Sequence, residues 1–300
     1  MIRLPVEPPF HLGATARLLQ RRPRNPLDRV EAGRWQRLFL PPAGPVLVQV
    51  EQHGPAAAPD LRLTFAGRSV DARERRQLVA IVRRMLGLDV DLAPFRAAAG
   101  RIAPLAPLVR RLAGLRPPRF ASLYEAFVGV VPFQQVSLDA GVAVFAKIVE
   151  RFGASATIDG TTWYAAPRPE TIARAALVDL RARGLSEAKA RTLQNAARAC
   201  TDGTLDEAEI EHLPSQAARA RLLELRGIGP WSADLLLLRG LGRLDAFPPG
   251  DVGAARGLGA LLGDRARQPE RLAAAFAPQQ GMLYYLSLAV QLLDRGLIDL

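Results

Sequence analysis

Two short stretches in the C-terminal half of the chain combine residue types and spacings that can do chemistry. In LLELRGIGPWSADLLLLRG, residues 222–240, the run Gly227-Ile228-Gly229-Pro230 interrupts two leucine-rich helical segments. Gly227 suits the left-handed conformation that stops a helix, Pro230 fits the first turn of the next one, and Ile228 turns back toward the core. Two glycines allow an anion close to the unpaired N–H groups of the new helix, whose dipole favours negative charge, so the turn suits a phosphate. The same pattern also reads as an ordinary helical hairpin whose glycines only cap a helix. In LDAFPPGDVGAARGL, residues 244–258, Asp251 follows a Pro-Pro-Gly turn at the start of another helical segment. There it caps that helix, and the helix N-terminus keeps its carboxylate ionised for any further use.

The elements that must hold these residues follow from periodicity. Within residues 1–95, GPVLVQVEQHG and LRLTFAGRSV read as strands bounded by Gly and Pro. DARERRQLVAIVRRMLGLD then places Leu78, Val79, Val82 and Met85 on one helical face. From about residue 95 onward no strand is expected: segment after segment is amphipathic at the helical period, separated by Gly or Pro. The expected fold is mainly α, with a small N-terminal α+β domain (1–95) followed by a helical region (96–300).

Composition narrows the classes. The 300 residues include 49% apolar ones, enough for a full core, yet no run reaches the ~18–20 apolar residues of a membrane span. The N-terminus lacks an apolar signal core, so the expected compartment is the cytoplasm. One cysteine, Cys200, excludes an internal disulfide and a cysteine-held cluster, and with only His11, His53 and His212 no metal site is expected. A formal net charge of +11 points to a polyanion such as nucleic acid. Nearly all the basic residues are arginine, with Lys147 and Lys189 the only lysines, which also fits a compositional bias. The pairs Arg75–Arg76, Arg83–Arg84 and Arg110–Arg111 read as phosphate trackers or as solvated helix faces.

The hairpin followed by DAFPPGD resembles the helix-hairpin-helix, Gly/Pro-rich loop and aspartate of the HhH-GPD superfamily of DNA glycosylases. The Trp of GIGPW is similar to the alkylation-repair branch, 3-methyladenine DNA glycosylase II, as are VEPPF (6–10), FQQVS (133–137) and GLSEAKARTL (184–193). The resemblance implies two helical subdomains, 118–245 with the hairpin and 96–117 joined to 246–300, with the active site in the cleft between them. It implies Asp251 as the catalytic carboxylate, stabilising an oxocarbenium-like sugar and orienting water. Trp231, Leu235, Leu288, Tyr284 and Tyr285 are the implied base pocket, Gly227, Ile228 and Gly229 the phosphate hairpin, and Gln134 and Gln135 the loop that enters the minor groove. Positions that are aromatic in familiar members match Leu18, Leu235, Val252 and Leu288, an aliphatic departure. Bifunctional relatives carry a lysine where Trp231 stands, which leaves no amine for strand cleavage and implies a monofunctional enzyme. The expected partner is damaged double-stranded DNA, read by a monomer without cofactor, apart from a monovalent cation at the hairpin when DNA is bound. The alternatives are a glycosylase for deaminated or oxidised bases and a non-catalytic hairpin protein that only binds DNA.

Overall fold

The structure, a computed structural model, describes residues 1–31, 33–248, 250–263 and 269–298. Five antiparallel strands form one sheet: β1 (Ile2–Leu4), β2 (Arg29–Glu31), β3 (Arg34–Phe39), β4 (Val46–His53) and β5 (Asp60–Ala66), in the spatial order β1-β5-β4-β3-β2. Register is set by alternation on β4, where Val46, Val48 and Val50 are fully buried and pair with Phe39, Arg37 and Trp35 of β3. Helices α1 (Leu12–Gln20) and α2 (Ala72–Met85) belong to the same unit. On α2 the core residues are Leu78, Val82 and Met85, with Val79 only partly buried.

Helix α1 has two apolar faces. Leu12, Ala16 and Leu19 pack into the core over the sheet, whereas Ala14 and Leu18 enter the larger core of the helical region. The chain end of α1 is thereby delivered to the helical region.

That region begins with α3 (Ala93–Gly100), α4 (Ala106–Arg111), α5 (Leu123–Val130) and α6 (Leu138–Phe152). A hairpin follows, β6 (Ser155–Ile158) with β7 (Thr161–Tyr164), where the sequence pattern had pointed to helix alone. Its cause is local: Asp159 (φ +49°) and Gly160 (φ +72°) make the two-residue turn that matches strand twist. The hairpin buries Trp163 against Leu38 and Leu47 of the first sheet. The chain continues through α7 (Pro169–Arg174), α8 (Leu177–Ala182), α9 (Glu187–Thr201), α10 (Glu207–His212) and α11 (Ser215–Leu223). It ends with α12 (Pro230–Leu235), a π-turn at Leu236–Gly240, α13 (Val252–Leu262), α14 (Pro269–Ala274) and α15 (Met282–Leu293).

Buried charge ties the sheet to the helices. Arg37 on β3 meets Asp28 (3.1 Å) and Glu125 of α5 (2.6 Å), all three side chains being almost without solvent. Arg83 and Arg84 also make intramolecular contacts, at more exposed positions. Arg83 pairs with Asp89 and bonds the Pro5 carbonyl, while Arg84 reaches Glu207, Glu211 and the Ala121 carbonyl. Among the described residues, no helix is long and apolar enough to cross a membrane.

Candidate active site

The interrupted helix is a tight hairpin between α11 and α12. Gly227 adopts φ +91°, and a Cβ there would lie 1.9 Å from Thr192 Oγ1 of α9, so backbone and packing both demand glycine. Ile228 is buried in the main core and donates its N–H to the Leu225 carbonyl (3.0 Å). Arg219 of α11 grips Asp234 of α12 through two hydrogen bonds (2.8 and 3.2 Å), fixing the two helices against each other.

Gly229 differs from Gly227. Its φ of −94° suits any residue, and a Cβ there would meet nothing within 4 Å. The fold does not require this glycine, and the space before the N-terminus of α12 is open. Gly229→Glu should therefore fold normally yet bind duplex DNA about tenfold or more weakly, with a salt slope lower by roughly one phosphate. Gly227→Ala should instead lower unfolding stability by about 1–3 kcal/mol. Fluorescence anisotropy over a salt series, beside denaturant melts, separates the two effects; unchanged affinity in folded Gly229→Glu would remove the phosphate role.

Asp251 is the N-cap of α13 and more than a cap. Its Oδ1 accepts the Ala254 N–H (2.7 Å), while Oδ2 accepts the Trp231 indole N–H (2.8 Å). Two of the carboxylate's roughly four acceptor directions are used, leaving the others for water or a developing cation. Position is set from behind: a Cβ on Gly257 would lie 2.8 Å from Ser287 Cβ, so α13 crosses α15 at very close range. Gln291 of α15 adds hydrogen bonds to the Gly253 carbonyl (3.0 Å) and its own turn (3.2 Å).

Asp251 and Trp231 open onto a cleft of about 890 Å³, with Leu235, Leu288 and Tyr284 also in its wall. Tyr285 is not. Its hydroxyl donates to the Pro118 carbonyl (2.9 Å), and burial pushes its phenol pKa up. Neighbours on a helix point about 100° apart, so the two tyrosines serve different surroundings; their rings meet edge to face at 5.6 Å. Leu18 is likewise fully buried outside the cleft wall, and Val252 stands 71% exposed on its edge.

The loop between α5 and α6 divides its two glutamines. Gln134 points inward and donates to the Gly227 carbonyl (3.0 Å) and Ser232 Oγ (3.0 Å), bracing loop to hairpin. Gln135 (φ +53°) is exposed at the tip beside Val136, which is 45% exposed. Only Gln135 is free to reach outward.

Four further cleft residues gain no role from the sequence: Phe133 and Lys189 sit inside the FQQVS and GLSEAKARTL motifs, Arg21 and Gln291 in none. Arg21, Phe133 and Gln291 line the cleft, as does Lys189 of α9. An amine is therefore present after all, though not at the Trp231 position. It donates to the Pro132 carbonyl (3.3 Å), and desolvation lowers its pKa. Two signals mark it in the sequence, its place in GLSEAKARTL and its rarity as a lysine in so arginine-rich a chain.

Comparison with known proteins identifies the family and the fold. Residues 128–278 match the profile of HhH-GPD superfamily base excision DNA repair proteins, and residues 1–122 that of the AlkA N-terminal domain. A DNA-3-methyladenine glycosylase of Bacillus subtilis is 30% identical over 204 residues, covering 68% of this chain and 67% of its own. The fold is shared with a 3-methyladenine DNA-glycosylase from Archaeoglobus fulgidus, at TM-score 0.81 and 24% identity over 96% of this chain and 97% of that one. A Schizosaccharomyces pombe 3-methyladenine DNA glycosylase bound to abasic DNA matches at TM-score 0.55 and 25% identity, over 66% of this chain and 95% of its own.

Proposed function

Since the chain belongs to the HhH-GPD superfamily of base excision DNA repair proteins, we propose that it is a monofunctional DNA glycosylase excising alkylated bases of the 3-methyladenine type from duplex DNA. The observation that carries this reading is the Asp251 carboxylate, hydrogen-bonded to Trp231 on the wall of a cleft beside an open glycine hairpin. A flipped nucleotide brings its base against Trp231, Tyr284 and Leu288 while the hairpin N–H groups hold a backbone phosphate. The C1′–N bond breaks with its electron pair going to the base, and positive charge gathers on the sugar. Asp251 stabilises that charge and orients a water whose oxygen bonds to C1′. The water's proton leaves to solvent or carboxylate, and the departing base takes one up where its charge requires.

Trp231 in place of an amine supports hydrolysis without strand cleavage, and Lys189 is engaged by Pro132. The same reading takes a monovalent cation at the hairpin with the DNA, and a single chain supplies every group.

Duplexes carrying 3-methyladenine, 7-methylguanine, 1,N6-ethenoadenine, hypoxanthine or uracil test it. Base release is expected with the strand intact until alkali, and borohydride should trap no covalent adduct. Adducts or nicking that disappear in Lys189→Ala would make the enzyme a lyase, and no release from any alkylated duplex would end the glycosylase reading.

A further inference from the structure

Arg21 follows α1 directly, in a positive-φ conformation (+57°) that residues with side chains rarely take. Its guanidinium stands in the cleft wall. There Nη2 donates to the hydroxyl of Tyr284 (2.9 Å), a residue 263 positions away, and Cζ sits over the Phe133 ring, 5.3 Å from the centroid. Arg22 beside it is neutralised by Asp139 (2.6 Å). Among the described residues, Arg21 has no carboxylate at salt-bridge distance, and its buried Nε finds no acceptor. Burial raises the Tyr284 phenol pKa; the nearby Arg21 charge opposes that rise and the Asp251 charge adds to it. An unpaired cation and the carboxylate thus act on one tyrosine of the cleft.

We propose that Arg21 is a specificity-determining residue: a fixed donor and positive charge that favours neutral bases bearing a ring-nitrogen or carbonyl acceptor over cationic ones. The inference rests on the cleft being the seat of a flipped base. A cationic alkylated purine needs no help to leave, because the bond pair cancels its own charge, and Arg21 repels it on entry. A neutral adduct such as 1,N6-ethenoadenine gathers negative charge as its C1′–N bond breaks. A guanidinium N–H at its acceptor stabilises that charge without giving up a proton, which the base takes from water. Contact with Phe133 and Tyr284 holds the guanidinium in place before the base arrives, so little reorganisation remains.

Single-turnover release on 1,N6-ethenoadenine, hypoxanthine and 7-methylguanine duplexes, with wild type, Arg21→Gln, Arg21→Lys and Tyr284→Phe, tests this. Arg21→Gln should slow the two neutral lesions about tenfold or more and leave 7-methylguanine unchanged or faster. Arg21→Lys should fall between. Tyr284→Phe keeps the ring and removes only the hydroxyl that seats the guanidinium; it should shift the same ratio by a smaller factor, and it carries the test if Arg21→Gln does not fold. Equal losses on both classes, or no change on either, would overturn the proposal. A wild type that releases no base, indistinguishable from Asp251→Asn, would instead overturn the glycosylase reading beneath it.

Discussion

Asp251→Asn is expected to slow base release by about 10²–10³-fold or more while binding duplex DNA as tightly as wild type, a loss of roughly 2.7–4 kcal/mol in transition-state stabilisation. The substitution is nearly isosteric and keeps one oxygen to cap α13 at Ala254. What it removes is the negative charge opposite a developing sugar cation. It also sets an amide N–H₂ toward the Trp231 indole N–H, donor against donor, where an oxygen now accepts at 2.8 Å. Trp231→Phe separates the two consequences, since it keeps an aromatic wall and leaves the carboxylate charged. That variant should lose far less than Asp251→Asn. Single-turnover base release and affinity for abasic-site DNA are the measurements. More than a tenth of wild-type activity in the Asn variant would take Asp251 out of the reaction.

The largest effect on stability is expected at Arg37. Arg37→Met should cost about 3–5 kcal/mol, because it strands two carboxylates that have almost no solvent. Asp28 would keep the Trp35 indole N–H (3.0 Å), and Glu125 a long contact from the Ala121 N–H (3.5 Å), neither of which replaces a cation. Even in the intact protein, burial pushes the Glu125 carboxyl above its usual range against the pull of Arg37. A carboxyl raised on folding contributes stability that is full below its unfolded pKa and lost as pH rises through its folded one. In Arg37→Met that loss should deepen, so its deficit against wild type should be larger at pH 8 than at pH 5. Denaturant melts at both pH values decide this. A deficit below about 1 kcal/mol, or one indifferent to pH, would mean the triad does not lock the sheet to α5.

The sequence made the hairpin and Asp251 legible because their signals are local. Gly-x-Gly-Pro between leucine-rich runs has few conformational solutions, and an aspartate after Pro-Pro-Gly at a helix start has an obvious capping role. The Trp231–Asp251 bond was not legible, since it joins residues 20 positions apart across a turn whose path only packing determines. Arg21 was further out of reach, being carried to the cleft by a helix with two apolar faces shared between two cores. Other differences between sequence pattern and structure have local causes. Asp159-Gly160 is a turn signal set among helical segments, and the pairs Tyr284-Tyr285 and Gln134-Gln135 each look like one feature in the sequence although adjacent residues face different ways.

The hydrogen bond from Trp231 to Asp251 also gives the protein an optical reporter. Of the three indoles, Trp35 and Trp163 are 0% and 6% exposed, whereas Trp231 is half-buried on the cleft wall with its N–H held by a carboxylate. The first two do not line the cleft, so a group that enters it makes contact with Trp231 alone among the indoles. The part of an intrinsic-fluorescence change on DNA binding that Trp231→Phe removes therefore belongs to the indole joined to Asp251, and stopped-flow traces of that part time the base's arrival separately from bond breaking.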